Sequence, residues 1–175
     1  GSGPSGLTAA NDLSLLGYGV TIYETLPVLG GMLSVGIPAY RLPRDILNME
    51  IKGIRELGVE MKTNHFFSLD GNTTSFRKLG FQAVFLSTGA HGSMKLRIPG
   101  EGFRGVFPGV EFLRDINLGK KIEMGNKVAV VGGGNVAVDV ARSALRLGAK
   151  KVGIYYRRSR NEMPAIREEV EEAIQ

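Results

Sequence analysis

The sequence predicts an α/β fold in which a glycine-rich unit occurs twice. The two glycine-rich segments, residues 1–6 and 132–134, lie about 130 residues apart. Each precedes apolar residues at helical spacing and then a short run of β-branched and aromatic residues. The second segment also follows a strongly apolar run at 127–131. Strand, helix and strand in this order predict a right-handed βαβ unit on a parallel sheet.

The elements predicted in the first half alternate between helix and strand. Pro43 is typical of a helix start, and Gly58 of the position after a helix end. We expect helices over 7–16 and 43–57, strands over 20–23 and 59–61, and a buried strand over 83–86.

The second half begins with a connector and ends with the complete βαβ pattern. Glycines and prolines between 92 and 109 predict irregular structure. We then expect a short helix over 110–118, a strand over 127–131, a helix over 135–147 and a strand over 152–156.

The composition excludes several classes of site. Of the 175 residues, 43% are hydrophobic and 22% charged, which is typical of a chain with a packed core. Cysteine is absent, and His65 and His91 are single histidines without a nearby ligand partner, so we expect no metal site. No apolar run has the length of a membrane span and no signal peptide is visible, so we expect a cytoplasmic protein without a membrane partner.

The first glycine-rich segment fits the dinucleotide motif G-x-G-x-x-G. Gly1, Gly3 and Gly6 supply the tight turn, the close approach of a pyrophosphate and the helix–strand packing that the motif requires. Glu24 lies 23 residues after Gly1, where a carboxylate binds the ribose hydroxyls of an adenine dinucleotide. The alternative interpretation is a glycine-rich turn with a surface glutamate.

The second segment fits the variant G-x-G-x-x-A through Gly132, Gly134 and Ala137. About 20 residues later, an NAD site carries an acid, but this sequence carries Arg157 and Arg158. Guanidinium groups bind a 2′-phosphate through charge-assisted hydrogen bonds, so the pattern predicts NADP(H). The alternative is a pair of solvated loop charges. Together the two motifs predict a Rossmann-like fold with two dinucleotide-binding units.

The net charge of +5 could also indicate a nucleic-acid-binding protein. Seven basic residues and no acidic one lie between 142 and 160, but five glutamates follow them. This local pattern and the two motifs argue against a nucleic-acid partner. We expect Arg142 and its basic neighbours at 146, 150 and 151 on solvated faces. Asp139 is either a cap or surface carboxylate or, alternatively, a cofactor contact.

Several longer motifs together resemble one family. They are GSGPSGL, VTIYE, GGMLSVGIPAYRLPRDI, FLSTGA, IPGE, VAVVGGGNVAVDVARSALRLGA and YYRRSRNEMPA. These motifs resemble the FAD/NADPH oxidoreductases typified by the glutamate synthase small subunit, and the FAD/NADPH region of dihydropyrimidine dehydrogenase. The resemblance implies hydride transfer from NADPH to FAD and onward electron transfer. The alternative function is a non-catalytic fragment that binds NADP(H) without FAD.

The resemblance also implies a domain division and a partner. Residues 1–108 would be a partial FAD-binding domain that lacks its first strand, and residues 109–175 the start of an inserted NADPH-binding domain that is incomplete at its C-terminus. The partner would be an iron–sulfur domain or a larger electron-accepting subunit. The cofactors carry the chemistry, so no side chain is expected to be catalytic.

The implied binding residues form two sets. The set for FAD is Gly1, Gly3, Pro4, Ser5, Gly6, Glu24, Gly31, Met32, Arg41, Phe67, Thr88 and Gly89. The set for NADP(H) is Gly133, Gly134, Asn135, Val136, Arg157 and Arg158. Phe67 is implied near the adenine through its main chain, and Thr88–Gly89 at the second crossing of the FAD-binding chain.

Overall fold

The structure is a computed structural model that describes residues 1–67 and 74–174. Its helices are α1 Pro4–Leu15, α2 Met32–Val35, α3 Arg44–Glu56, α4 Thr74–Lys78, α5 Gly109–Asn117, α6 Asn135–Arg146 and α7 Arg167–Glu172. Its strands are β1 Thr21–Tyr23, β2 Glu60–Lys62, β3 Lys127–Val131 and β4 Lys151–Tyr155, and Arg160–Glu162 form a 3₁₀ turn.

The described residues form two compact units. The first unit comprises Gly1–Ser34 and the described part of Ala39–Ala90, and the second comprises Val35–Pro38 and the described part of His91–Gln175. The two units divide near residue 90 by their packing. The domain division predicted at 108 and 109 concerns cofactor binding and stays a prediction.

The first unit is built on a pair of parallel strands. β1 pairs with β2 in the register Thr21↔Glu60 and Tyr23↔Lys62. The fixed φ of Pro4 suits the first position of α1. The core between the strands and helices α1 and α3 consists of Leu7, Ala10, Ile22, Leu47, Ile51 and Val59. This packing holds the start of α1 beside the end of β1.

The second unit confirms the predicted strand, helix and strand. β3 pairs with β4 in parallel, with Val131 opposite Tyr155. Helix α6 lies between them in sequence and packs small residues, Ala137 and Ala141, against Val130. Gly148 follows the helix with a φ of +101°, the left-handed conformation that commonly ends a helix.

The strand predicted over 83–86 is wrong. These residues form neither helix nor strand, and the side chains of Phe85 and Leu86 are 60% and 61% exposed. The reason is the pairing: among the described residues, β1 and β2 pair only with each other. An apolar run without a neighbouring strand cannot form the ladder of hydrogen bonds that defines a strand.

None of the helices within residues 1–67 and 74–174 combines the length and the apolar character required to cross a membrane.

Candidate functional site

The first glycine loop leads directly into the N-terminus of α1. A Cβ atom on Gly1 would lie 2.4 Å from the carbonyl oxygen of Ser87, and one on Gly6 would lie 1.9 Å from that of Gly1. Both glycines are therefore required by packing. A Cβ atom on Gly3 would meet no atom within 4 Å. The missing side chain of Gly3 leaves open space at the helix N-terminus, where unpaired N–H groups favour an anion.

Glu24 follows β1 and is 5% exposed. Its Oε2 accepts hydrogen bonds from the Ser2 N–H at 2.8 Å and the Ser2 hydroxyl at 2.7 Å, and its Oε1 accepts one from the Leu26 N–H at 2.9 Å. Burial raises the pKa of this carboxyl, but the hydrogen bonds from Leu26 and Ser2 outweigh burial and lower the pKa overall. A carboxylate has about four acceptor positions, so one remains for a further hydroxyl donor.

Ser2 connects three segments of the first unit. Its side chain is fully buried, and its Oγ accepts a hydrogen bond from the Gly30 N–H at 3.0 Å while donating to Glu24. The glycine loop, the end of β1 and the turn at Gly30 thus share one hydroxyl group. Sequence reasoning missed Ser2, because a small residue between two motif glycines has no periodic or charge pattern.

The turn at Gly30 and Gly31 packs against the first glycine loop. Both residues have positive φ, +103° and +54°, which glycine adopts without strain. A Cβ atom on Gly31 would lie 2.7 Å from the Cα of Gly3. Met32 begins α2 directly after this turn, and Arg41 is partly buried ten residues after Gly31. The structure therefore brings Gly31 and Met32 close to the predicted phosphate loop.

The remaining residues predicted for FAD lie on two other segments of the first unit. The ring of Phe67 packs against those of Tyr23 and Phe76, with centroids 4.6 Å and 4.8 Å apart. Its side chain is occupied in this cluster, which leaves its main chain for the predicted contact. Thr88 and Gly89 are exposed and follow Ser87, whose hydroxyl donates to the carbonyl oxygen of Gly1 at 3.0 Å.

The second glycine loop has the same division between crowded and open glycines. A Cβ atom on Gly133 would lie 2.6 Å from the ring of Tyr156, and one on Gly132 would lie 3.3 Å from the Cβ of Ala137. Gly134, directly before α6, would meet nothing within 4 Å. The open position again lies at a helix N-terminus.

Asn135 and Val136 begin α6 after this loop. The Oδ1 of Asn135 accepts a hydrogen bond from the Ile166 N–H at 2.8 Å. The side chain of Val136 is partly exposed. The structure therefore brings the four residues predicted at this loop together, but it commits one side-chain acceptor of Asn135 to another segment of the chain.

Arg157 and Arg158 leave the sheet at the same edge as the second glycine loop. They follow the end of β4, where Tyr155 lies opposite Val131 at the end of β3. Both arginines are exposed. Within the described part of the chain, neither forms a hydrogen bond or an ion pair. Two guanidinium groups are thus available to an anion at this edge.

Comparison with protein families decides the class. All residues from 1 to 175 match the family model described as pyridine nucleotide-disulphide oxidoreductase. The chain belongs to this family. Its fold is accordingly the Rossmann-like fold that binds FAD and NAD(P), which confirms the predicted fold class at this level.

Relatives of this family member include oxidoreductase subunits. The chain is 53% identical over 176 residues to the NADP(+)-dependent formate dehydrogenase subunit beta of Moorella thermoacetica, covering 99% of this chain and 25% of the relative. It is 46% identical over 170 residues to the NADPH-Fe(3+) oxidoreductase subunit beta of Geobacter sulfurreducens, covering 94% and 25%. It is 32% identical over 185 residues to the glutamate synthase [NADPH] small chain of Azospirillum brasilense, covering 99% and 38%.

Solved structures show the same fold. FprA from Mycobacterium tuberculosis in complex with NADPH superposes with a TM-score of 0.79 at 24% identity, covering 99% of this chain and 46% of FprA. The chain thus spans about a quarter of the length of the first two relatives and under half of FprA. The 32% identity to the glutamate synthase small chain, over 99% of this chain, confirms the resemblance to the glutamate synthase small-subunit group for the chain itself.

Two expectations for this chain need correction. The side chain of Arg142 is 12% exposed, rather than solvated, and it pairs with Glu169 and, at 2.8 Å, with Glu172. These glutamates lie on α7, which packs against the side of α6 that carries Arg142. Asp139 is 4% exposed within α6, so the interpretation as a cap or surface carboxylate is wrong.

Proposed function

We propose that this chain supplies the FAD- and NADPH-binding segments of a flavin-dependent oxidoreductase of the glutamate synthase small-subunit type. The observation that carries the proposal is the division of glycines in both loops. Packing explains Gly1, Gly6 and Gly133, since a side chain there would collide with neighbouring atoms. Packing does not explain Gly3 and Gly134, whose open positions at helix N-termini fit the close approach of a pyrophosphate.

The residues of the first unit fit FAD. Glu24 is held ionised and retains one acceptor position for a ribose hydroxyl. In our proposal the pyrophosphate lies at Gly3 and the start of α1, and Glu24 binds the ribose. The other FAD contacts that we propose are Gly1, Pro4, Ser5, Gly6, Gly31, Met32, Arg41, Phe67, Thr88 and Gly89.

The residues of the second unit fit NADPH. Arg157 and Arg158 are exposed at the sheet edge that carries the glycine loop, and the position of the acid typical of NAD sites is occupied by these two cations. We propose that they bind the 2′-phosphate, while the main chain of Gly133, Gly134, Asn135 and Val136 surrounds the pyrophosphate. Guanidinium groups suit this role because they present directed donors to phosphate oxygens.

In the proposed reaction, NADPH is the hydride donor and electrons pass onward to an acceptor. FAD, when bound, supplies the hydride-accepting ring. This chain binds and orients the two dinucleotides, and no side chain need transfer a proton. We propose that residues 1–108 belong to the FAD-binding part and residues 109–175 to the NADPH-binding part.

The proposed partner is an electron-accepting subunit or an iron–sulfur domain. Three relatives carry names of subunits or chains of larger enzymes, and their names specify NADP or NADPH. These names support an electron-transfer assembly in which the chain delivers reducing equivalents from NADPH, and we propose that this assembly is cytoplasmic.

Flavin absorbance tests the proposal. The purified protein should be yellow, and anaerobic NADPH should bleach its flavin absorbance faster than NADH at equal concentration. A colourless protein that still binds NADPH would establish the alternative, an NADP(H)-binding module without FAD. A protein that binds neither cofactor would overturn both halves of the proposal.

The two arginines provide a second test. Replacing both Arg157 and Arg158 with alanine should weaken NADPH binding by at least about tenfold, since a hydrogen bond to a charged group contributes roughly 1.5–3 kcal/mol. NADH binding should change less than about twofold. Arg104→Ala is the matched control, because it removes an exposed arginine of the same unit. Equal losses for NADPH and NADH would exclude recognition of the 2′-phosphate.

A further inference from the structure

We propose that Asn135 and Tyr156 are positioning residues that set the preference for NADPH over NADH. They attach the arginine loop, residues 156–166, to the second glycine loop. This inference rests on the proposed function, because it assumes that Arg157 and Arg158 bind the 2′-phosphate. It assigns a role to the side chain of Asn135, separate from the main-chain contact with the pyrophosphate.

Both ends of the arginine loop are attached to the glycine loop. At its start, the ring of Tyr156 lies so close to Gly133 that a Cβ atom there would be 2.6–2.8 Å from three ring carbons. At its end, the Ala165 N–H donates to the carbonyl oxygen of Gly133 at 3.1 Å. The Ile166 N–H donates to the Oδ1 of Asn135 at 2.8 Å. The two cations therefore lie on a segment with two fixed ends.

Hydrogen bonds within the arginine loop also stabilise its middle part. The Ser159 N–H and hydroxyl donate to Oε2 of Glu162 at 3.0 Å and 2.7 Å, and the hydroxyl of Tyr156 donates to the Glu162 carbonyl oxygen at 3.4 Å. Glu162 is the acid closest in sequence to the two arginines, and these bonds engage its carboxylate within the loop. The arginine side chains thus have no acidic partner among residues 1–67 and 74–174.

Loosening these attachments should weaken the binding of NADPH more than the binding of NADH. Binding a phosphate through two guanidinium groups requires both to be held at the correct place, and a loose loop must lose entropy to reach it. NADH has no 2′-phosphate, so a loosened arginine loop costs it nothing. A side chain that contacts the pyrophosphate directly would instead affect the binding of NADPH and NADH equally, since both contain that group.

Binding constants for NADPH and NADH, measured by calorimetry, test the inference. Asn135→Ala removes the acceptor for the Ile166 N–H and should weaken NADPH binding about 3- to 10-fold, with less than about a twofold change for NADH. Asn135→Asp retains the acceptor. Its negative charge near the pyrophosphate should weaken the binding of both cofactors, while the ratio of NADPH affinity to NADH affinity stays close to that of the wild type.

Tyr156→Leu provides an independent variant should Asn135→Ala fold poorly. It removes the aromatic ring that packs on Gly133 and should lower the ratio of NADPH affinity to NADH affinity. Asn161→Ala is the control within the loop, because its exposed side chain makes no hydrogen bond to a described residue. It should keep the wild-type ratio. Thermal melting of each variant verifies that the protein is folded.

Three outcomes separate the inference from the proposed function. Equal weakening of NADPH and NADH binding by Asn135→Ala would show that the Asn135 side chain contacts the pyrophosphate, and it would overturn the positioning role. An unchanged ratio in both Asn135→Ala and Tyr156→Leu would also overturn it, while loss of the preference in the double arginine variant would leave the proposed function intact. A wild-type protein without preference for NADPH would refute the arginine assignment itself.

Discussion

The hydroxyl group of Ser2 should contribute strongly to the stability of the first unit. Ser2→Ala removes a donor to Glu24 at 2.7 Å and an acceptor for the Gly30 N–H at 3.0 Å. The site is fully buried, so water does not replace either bond without rearrangement. A hydrogen bond to a charged group contributes about 1.5–3 kcal/mol, and an unsatisfied buried N–H costs about 1–3 kcal/mol. Partial relaxation reduces the sum, and we expect a loss of about 3 kcal/mol.

Urea denaturation followed by circular dichroism measures this loss, and hydrogen exchange assigns it to a segment. A loss of this size lowers the melting temperature by about 6–12 °C for a chain of this length. The amides of residues 24–31 should exchange faster in Ser2→Ala than in the wild type. Ser14→Ala is the control, because its partly buried hydroxyl in α1 makes no hydrogen bond to a described residue.

The result that would refute this reasoning is also clear. If Ser2→Ala changed the free energy of unfolding by less than about 0.5 kcal/mol, as Ser14→Ala should, the hydroxyl would not connect the three segments in solution. Unchanged exchange at the Gly30 amide would contradict the hydrogen bond directly.

Three further predictions concern other positions. The folded-state pKa of Glu24 lies below its ordinary value of 4.5, so its ionised form stabilises the fold above that pH and the contribution is lost as the pH falls through the lower, folded-state pKa; Glu24→Gln should flatten this acid limb in pH-dependent unfolding. Gly6→Ala places a Cβ atom 1.9 Å from a backbone oxygen and should abolish FAD binding, which flavin retention measures. Gly53→Ala, at a position within α3 where a Cβ atom meets no neighbour, should stabilise the fold by about 0.5–1 kcal/mol, which the urea midpoint measures. Arg142→Ala removes the partly buried cation that pairs with Glu169 and Glu172 of α7, and it should cost about 1–3 kcal/mol in urea denaturation. Lys150→Ala removes an exposed charge and should cost less than about 0.5 kcal/mol; equal effects of the two variants would contradict the pairing.

Local signals in the sequence predicted much of the fold. The glycines before α1 and α6, Pro43 at the start of α3 and the apolar spacing of these helices depend on neighbours within one or two turns. The parallel pairing of β3 and β4 follows from chirality once the helix between them is recognised. These features required no knowledge of distant contacts.

The errors concern interactions between residues far apart in the sequence. The apolar run at 83–86 has the composition of a strand, but a strand also requires a neighbour, which composition does not specify. Arg142 was expected in water because its partner Glu169 lies 27 residues later on another helix. Ser2 shows the same limit at the site, since its partners Glu24 and Gly30 are 22 and 28 residues away.

The contact between Gly133 and Tyr156 links two positions that are 23 residues apart in the sequence. A residue larger than glycine at 133 would occupy the space of the aromatic ring, so it requires a smaller residue at 156. The two positions should therefore covary among related sequences, with an aromatic residue at one accompanied by glycine at the other. An attempt to exchange coenzyme preference by grafting the arginine loop into a relative must then transfer both positions together.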